Sequence, residues 1–303
     1  MSPSGIVLVD KPGGMTSHDV VARTRLALGT RKVGHAGTLD PMATGLLLLG
    51  VDSSTRLLTY LVGLGKEYTA TIRLGVATDT DDAEGAVIAT ADASALTRPA
   101  IDGAIRGLTG EIEQVPSSYS AIKVDGRRSY DRARAGEEVV LAARRVTVSR
   151  FDVLAERRDG EALELDVSVA CSSGTYIRAL ARDLGAALGV GGHLTALRRI
   201  SIGPFAVTDA VAVDAIAAAD LRPAAAIAAQ LFPTASLDAA QATDLAHGKR
   251  ITVAVPDAPV VAALTPGGRL AGLMSVTGGA AKVLVNFPRD ETLDKMQHER
   301  MDT

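Results

Sequence analysis

The stretch GHAGTLDPMATG, residues 34–45, followed by LLLLG, residues 46–50, is the most informative part of this sequence. It is a polar, glycine-rich loop that presents one carboxylate, Asp40, and then enters an apolar strand. The small residues on both sides leave space for a ligand to approach the backbone. Taken alone, an aspartate before a proline fits two interpretations, a simple turn former or a catalytic nucleophile or base.

The chain around this loop predicts a mixture of strands and helices. Residues 68–76 and 163–171 alternate between apolar and polar side chains, which is typical of half-buried strands. A helix is predicted after residue 16, with Ser17 as its N-cap and Gly29 at its end, and another after Thr175. Because strands and helices do not alternate regularly, we expect an α+β fold with a mixed, largely antiparallel sheet.

Composition narrows the class of protein. The chain has 303 residues, of which 47% are hydrophobic, and no apolar run is long enough for a membrane span. The apolar segment 5–9 is not preceded by a basic region, so it predicts a strand and not a signal peptide. The single cysteine, Cys171, excludes an internal disulfide and favours a cytoplasmic protein.

Charge is distributed unevenly along the chain. The net charge is −3, but residues 117–150 carry eight basic side chains against four acidic ones. This segregation permits a basic surface on an acidic protein, and a solvated charged hairpin explains it equally well. The five histidines show no metal-ligand spacing, and there is no phosphate-binding or dinucleotide motif, so we expect no metal and no cofactor.

Four ordered segments resemble one known family. Residues 34–45 are similar to the signature of the TruB family of tRNA pseudouridine synthases. Residues 10–21 (DKPGGMTSHDVV), 66–68 (KEY) and 174–178 (GTYIR) resemble further segments of that family, in the same order. The resemblance covers about residues 5–230 well and the last seventy residues weakly. It implies a pseudouridine synthase fold and a reaction that moves the uracil glycosidic bond from N1 to C5.

The resemblance also implies roles for individual residues. Asp40 matches the catalytic aspartate, Tyr68 the tyrosine that stacks on the target base, and Arg178 the arginine that pairs with the aspartate. An ionised carboxylate in a base-shaped pocket needs a neighbouring cation, which agrees with the role of Arg178. The sequence leaves three chemical routes open: attack of Asp40 on uracil C6, attack on C1′, and a glycal route in which it first acts as a base.

Substrate contacts are predicted for a second group of residues. His35 matches the family histidine that takes part in flipping the target base out of its stack. Lys11 resembles a residue that supports the active-site loop, although a solvated lysine at a strand end is an equal alternative. Leu197 lines the pocket or packs in the core, and Tyr68 also fits an ordinary core tyrosine. Arg127 and Arg128 are expected to contact RNA phosphates.

The family organisation predicts three parts. Residues 1–232 form the catalytic domain, with an inserted thumb loop at about 117–145 that is mobile and orders on RNA. Residues 233–290 form a small β domain similar to the PUA domain, an RNA-binding module, and residues 291–303 form a flexible tail.

Three functions compete at this stage. The first is a stand-alone enzyme acting as a monomer, without an obligate protein partner or membrane, on the T-loop uridine at tRNA position 55. The second is a non-catalytic RNA-binding protein that helps tRNA to fold, which would not need Asp40. The third is a guide-RNA-directed relative in the same superfamily. The chain has seven lysines and no basic tail, which favours the first.

Overall fold

The computed structural model describes residues 4–117 and 141–287, together with the short strands Lys123–Val124 and Arg127–Arg128. Within these residues there are six α-helices. They are α1 (Ser17–Ala27), α2 (Leu58–Val62), α3 (Arg98–Gly107), α4 (Ile177–Ala187), α5 (Ala224–Leu231) and α6 (Ala239–Ala246). No helix among the described residues is long and apolar enough to cross a membrane.

A large mixed sheet forms the centre of the molecule. Its main path runs in the order β14-β1-β3-β12-β4-β11-β10-β7, and the short strands β2 and β13 pair with β3 and β12. The strands are β1 (Gly5–Lys11), β2 (Val33–His35), β3 (Thr44–Val51), β4 (Lys66–Leu74), β7 (Gly110–Gln114), β10 (Arg144–Asp159), β11 (Ala162–Cys171), β12 (Gly192–Ile202), β13 (Phe205–Ala206) and β14 (Val211–Ala212). Only β1/β14 and β3/β12 pair in parallel among these strands, so the predicted mixed, largely antiparallel sheet is confirmed.

A second sheet lies in the C-terminal part of the chain. Its order is β15-β17-β18-β19-β16, and its strands are β15 (Thr234–Ser236), β16 (Ile251–Thr252), β17 (Ala258–Leu264), β18 (Leu270–Thr277) and β19 (Ala280–Asn286). Two strand pairs stand apart from both sheets, β5 (Val76–Thr78) with β6 (Val87–Thr90) and β8 (Lys123–Val124) with β9 (Arg127–Arg128). The predicted small C-terminal β domain is therefore present.

The two sheets share apolar packing. Ile6 and Leu8 of β1 lie in one buried cluster with Leu270 and Leu273 of β18. Burial of apolar surface contributes roughly 25 cal/mol per Å2 removed from water, so this cluster fixes the C-terminal sheet to the larger one. A separate cluster around β4, β11 and α4 supports the opposite end of the large sheet, close to the loop that carries Asp40.

Most elements near that loop follow the sequence periodicity. Strand β4 alternates between buried and half-buried residues as predicted and ends before Gly75, whose φ of +99° changes the chain direction. Helix α1 is followed by Gly29 with a φ of +60°, as expected of a helix C-terminus. The predicted cap was wrong: Thr16 is the N-cap of α1, and its hydroxyl accepts a hydrogen bond from the Asp19 backbone N–H.

Candidate active site

The loop of residues 36–43 joins two antiparallel neighbours, β2 and β3. Strand β3 then pairs in parallel with β12 through Thr44 and Gly45. Gly45 has a φ of +101°, and a Cβ at this position would lie 2.2 Å from the carbonyl oxygen of Arg199. Only glycine allows this close approach, and the approach sets where the loop leaves the sheet.

Helix α1 holds the loop from one side. Ser17, which was predicted as a cap, is buried, and its hydroxyl donates to the Leu39 carbonyl over 3.1 Å. The same hydroxyl accepts a hydrogen bond from the Leu39 N–H at 2.9 Å. Both backbone groups of the residue before Asp40 are therefore fixed by one side chain.

Lys11 also holds the loop, through the Pro41 carbonyl. Its side chain is fully buried, and Nζ donates to the carbonyls of Pro12 at 2.9 Å, Met15 at 2.7 Å and Pro41 at 3.2 Å. Burial lowers the pKa of Lys11 to about 8. The alternative of a solvated lysine at the strand end is therefore wrong. The structure leaves this ammonium facing protein carbonyls and not the solvent.

Arg178 forms the predicted contact with Asp40. Its Nε lies 3.0 Å from Asp40 Oδ2. Arg178 is the second residue of α4, and its side chain is 4% exposed, whereas that of Asp40 is 35% exposed. The carboxylate is thus open to a ligand on one side and neutralised by a buried guanidinium on the other.

A second carboxylate, which sequence analysis missed, shares Arg178. Asp82 Oδ2 lies 3.1 Å from Nη1 of Arg178, which also donates to the Thr80 carbonyl at 2.8 Å. Asp82 itself accepts hydrogen bonds from the Thr80 hydroxyl and the Glu84 N–H. Asp82 is 42 positions from Asp40 in a turn after β5, and no spacing rule in the sequence connects the two.

The predicted aromatic residue packs against the loop that carries Asp40. Tyr68 on β4 is buried and belongs to the same apolar cluster as Leu39, Ala43 and Leu197. Burial raises the pKa of Tyr68, and the adjacent guanidinium of Arg199 opposes that shift. The wall of the site is therefore apolar, as is common in ligand pockets.

His35 lies at the entrance to the loop. Its ring makes an edge contact with His18, with centroids 5.6 Å apart and an interplanar angle of 78°. Burial lowers the pKa of His35, which favours the neutral imidazole at pH 7. Its Nδ1 is buried and has no hydrogen-bond partner within the described part of the chain.

Comparison with known proteins identifies the family. Residues 25–177 match the model described as "TruB family pseudouridylate synthase (N terminal domain)", and residues 178–237 match "tRNA pseudouridylate synthase B C-terminal domain". Residues 232–288 match "tRNA Pseudouridine synthase II, C terminal". The chain belongs to the TruB family. Asp40 and Tyr68 lie within the first match, and Arg178 is the first residue of the second.

Relatives in the TruB family match over nearly their whole length. A protein from Leifsonia xyli subsp. xyli named tRNA pseudouridine synthase B is 60% identical over 96% of this chain and 99% of its own. A protein of the same name from Arthrobacter sp. is 55% identical over 95% of this chain and 98% of its own.

Two solved structures with the same fold belong to larger assemblies. A chain in a Cbf5-Nop10-Gar1 complex is 26% identical, with a TM-score of 0.69 over 95% of this chain and 86% of that one. A chain in an H/ACA RNP bound to a substrate RNA containing 2′-deoxyuridine is 25% identical, with a TM-score of 0.68 over 94% of this chain and 86% of that one. The predicted pseudouridine synthase fold is confirmed.

The predicted thumb and tail lie mostly outside the described residues. Residues 118–140 of the predicted thumb fall outside the described residues, except for the paired backbones of β8 and β9, which include Arg127 and Arg128. Ser117, just before this segment, is buried, and its hydroxyl donates to the Thr80 carbonyl at 3.2 Å and lies 3.4 Å from Nη1 of Arg178. Ser117, at the start of the predicted thumb, therefore contacts both Thr80 and Arg178. The predicted tail, 291–303, also falls outside the described residues.

Proposed function

We propose that this chain is a stand-alone tRNA pseudouridine synthase that converts the T-loop uridine at position 55 to pseudouridine. The observation that carries the proposal is the Asp40–Arg178 ion pair, with its open carboxylate on a loop that is fixed from several sides. The names of the relatives, which align over almost the whole chain, support the same substrate and reaction.

The reaction is an isomerisation that conserves all atoms of the uridine. The N1–C1′ bond breaks, a C5–C1′ bond forms, C5 loses its proton and N1 gains one. Asp40 supplies the carboxylate that starts this exchange by one of the three routes, and Arg178 keeps it paired while the base turns. Because the loop is ordered before substrate arrives, little reorganisation is needed when charge develops.

The surrounding residues take supporting roles. Tyr68 stacks on the uracil and assists removal of the C5 proton, while Leu197 forms part of the apolar wall. His35 fills or braces the space that the flipped base leaves in the RNA loop. Lys11, which sequence analysis grouped with substrate contacts, acts instead through the Pro41 carbonyl and supports the loop.

RNA binding involves more of the chain than this site. We assign the catalytic unit to residues 1–232, an RNA-binding β domain to 233–290, and the thumb to 117–145, where Arg127 and Arg128 contact phosphates. The enzyme works in the cytoplasm as a monomer without an obligate protein partner. Replacing both thumb arginines with alanine should reduce the slope of log affinity against log salt by about two units, since each lost phosphate contact removes about one.

The direct test uses an unmodified tRNA T-arm hairpin and carbodiimide mapping of pseudouridine. The wild type should modify one loop uridine, and Asp40→Asn should modify none while binding RNA within about tenfold, or 1.4 kcal/mol. Asp166→Asn is a matched control, because its carboxylate is 33% exposed and also pairs with an arginine, Arg157. Pseudouridine formed by Asp40→Asn would remove Asp40 from the mechanism.

The same proteins also separate two other functions, one by a tRNA-folding assay and one by the modification assay. If the protein promotes tRNA folding equally well as wild type and as Asp40→Asn, a folding role exists beside catalysis. The likeness to the Cbf5 chain keeps guide-directed modification as the second candidate enzyme. Modification of the bare hairpin by the pure protein, without guide RNA or added proteins, argues for the stand-alone enzyme.

A further inference from the structure

We propose that Arg199 is a positioning residue that holds the backbone around Asp40 by hydrogen bonds and orients Tyr68 from the facing position on the neighbouring strand. This inference rests on the proposed function for its catalytic consequence. Its structural content concerns one buried side chain and the groups that it contacts.

Arg199 contacts the loop on both sides of Asp40. Nη2 donates to the Gly37 carbonyl at 3.1 Å, Nη1 lies 3.4 Å from the Thr38 carbonyl, and Nε donates to the Leu46 carbonyl at 2.7 Å. The first two carbonyls precede Asp40 and the third follows it. One planar group therefore spans both ends of the loop, and its rigid fork of donors fixes their separation.

Tyr68 lies next to the same residue across the sheet. Arg199 on β12 is the direct cross-strand partner of Tyr68 on β4, and the positive charge of Arg199 opposes the rise in the pKa of Tyr68. Residues that face each other in an antiparallel pair have Cβ atoms about 4.5–5.5 Å apart, so their side chains meet. Tyr68 and the Asp40 loop are thus connected through a single residue.

The cost of burying this arginine argues for more than packing. Its side chain is 1% exposed, and no carboxylate among the described residues forms an ion pair with it. A buried cation that is compensated only by neutral dipoles is costly, and an apolar residue of similar volume would fill the space at lower cost. An apolar residue would not supply three simultaneous donor contacts to the backbone on the two sides of Asp40, nor a positive charge facing Tyr68.

The neighbouring Arg198 shows the contrast. It is 40% exposed and forms a two-pronged ion pair with Asp10, at 3.0 and 2.7 Å. Arg198 and Arg199 are adjacent on β12, yet only Arg199 points its guanidinium at the Gly37 and Thr38 carbonyls. Arg198→Gln is therefore a control that removes an arginine from the same strand.

The first experiment does not require catalysis. Full-length protein with 13C at the ζ carbon of tyrosine is compared as wild type, Arg199→Lys, Arg199→Gln and Arg198→Gln, and Tyr68→Phe identifies the Tyr68 resonance. We expect that resonance to move in both Arg199 variants and to stay in place in Arg198→Gln. We also expect faster hydrogen exchange of the backbone amides of residues 37–46 in the Arg199 variants, because the loop loses hydrogen bonds that restrain it.

Arg199→Lys keeps the test valid if Arg199→Gln does not fold, because a lysine retains the charge but reaches fewer acceptors. An unchanged Tyr68 resonance with unchanged exchange in a folded Arg199 variant would overturn the proposal. Failure of the proposed function appears separately, as absence of pseudouridine in the wild type.

The second experiment measures the coupling in catalysis. Arg199→Lys and Tyr68→Phe should each lower kcat about tenfold with little change in KM. If Arg199 acts through the Tyr68 hydroxyl, the double variant loses about tenfold as well, whereas independent effects would multiply to about a hundredfold. The multiplied loss would show that Arg199 does not act through Tyr68.

Discussion

Arg178 and Asp40 form an ion pair in which the cation is buried and the anion faces the solvent. Nη1 of Arg178 is directed at the Thr80–Asp82 turn, so the position of the guanidinium does not depend on Asp40 alone. Asp40 can therefore change its bonding during a reaction while Arg178 stays in place. This asymmetry suits a carboxylate that acts and a cation that supports it.

Replacing Arg178 with lysine should abolish most activity although the charge is kept. A lysine ammonium cannot reach Asp40, Asp82 and the Thr80 carbonyl together, because it lacks the planar fork. We expect kcat to fall about a hundredfold, or roughly 2.7 kcal/mol, with tRNA affinity within about tenfold. Arg182→Lys, one helical turn along α4, is the control and should stay near wild type. Comparable losses in both variants would contradict the prediction.

Asp82 should matter for stability as well as for activity. Removing its carboxylate leaves Arg178 buried with less compensation, and it removes the side-chain acceptor of the Thr80 hydroxyl and of the Glu84 N–H. Asp82→Ala should lower the free energy of unfolding by about 3 kcal/mol, measured by urea denaturation. Asp183 is half-buried, and Asp183→Asn, which loses the ion pair with Arg182, should cost less than about 1 kcal/mol. A loss at Asp82 as small as that at Asp183 would show that Arg178 does not depend on this carboxylate.

Alanine substitutions at two glycines should distinguish the effect of backbone strain from that of steric collision. Gly14 and Gly45 both have positive φ, at +80° and +101°, but a Cβ at Gly14 meets nothing within 4 Å. Gly14→Ala should cost about 1 kcal/mol from strain alone. Gly45→Ala adds the collision with the Arg199 carbonyl and should cost about 3 kcal/mol or more. If both variants lose the same free energy of unfolding, in thermal or urea denaturation, the collision between residue 45 on β3 and the Arg199 carbonyl on β12 does not destabilise the protein.

Lys11 should give unfolding a distinctive pH dependence. Its pKa is about 8 in the folded protein against 10.5 ordinarily. Between these values the unfolded chain keeps a proton that the folded chain has released, so stability contributed by this residue rises with pH. From about pH 7.5 to about pH 9.5 the wild type should gain roughly 1–2 kcal/mol relative to Lys11→Met. Lys66 has a similarly lowered pKa but is present in both proteins, so it cancels. Parallel pH curves for the two proteins would contradict the prediction.

The sequence predicted those elements whose periodicity is set by burial on one face. Strands β4 and β11 and the helices α1 and α4 are of this kind. Strand β17, Ala258–Leu264, was missed, because prolines at positions 256 and 259 made the segment resemble a loop. Proline tolerates a strand start, which is where the second of these prolines lies.

In the site, the sequence indicated which residues carry chemistry but not what holds them. The Asp40–Arg178 contact was predicted because Arg178 matches the arginine of the TruB family and because an ionised acid needs a cation. The roles of Ser17, Asp82 and Arg199 were missed, because each depends on strand order and register. Arg199 meets Tyr68 only because β12 lies between β3 and β4, a pairing of segments more than a hundred residues apart.

Apart from the ion pair of Asp40, the polar contacts described for the Asp40 loop bind its backbone. Ser17 hydrogen-bonds to the backbone N–H and C=O of Leu39. Lys11 Nζ and the Gly14 N–H both donate to the Pro41 carbonyl, and Arg199 donates to the Gly37 carbonyl. The conformation of the loop is therefore determined largely by residues outside it. Side chains such as those of Thr38 and Pro41, which are exposed, are free to be exchanged without moving the carboxylate. Substrate preference can thus be altered by evolution or by design at these positions while the reactive group keeps its place.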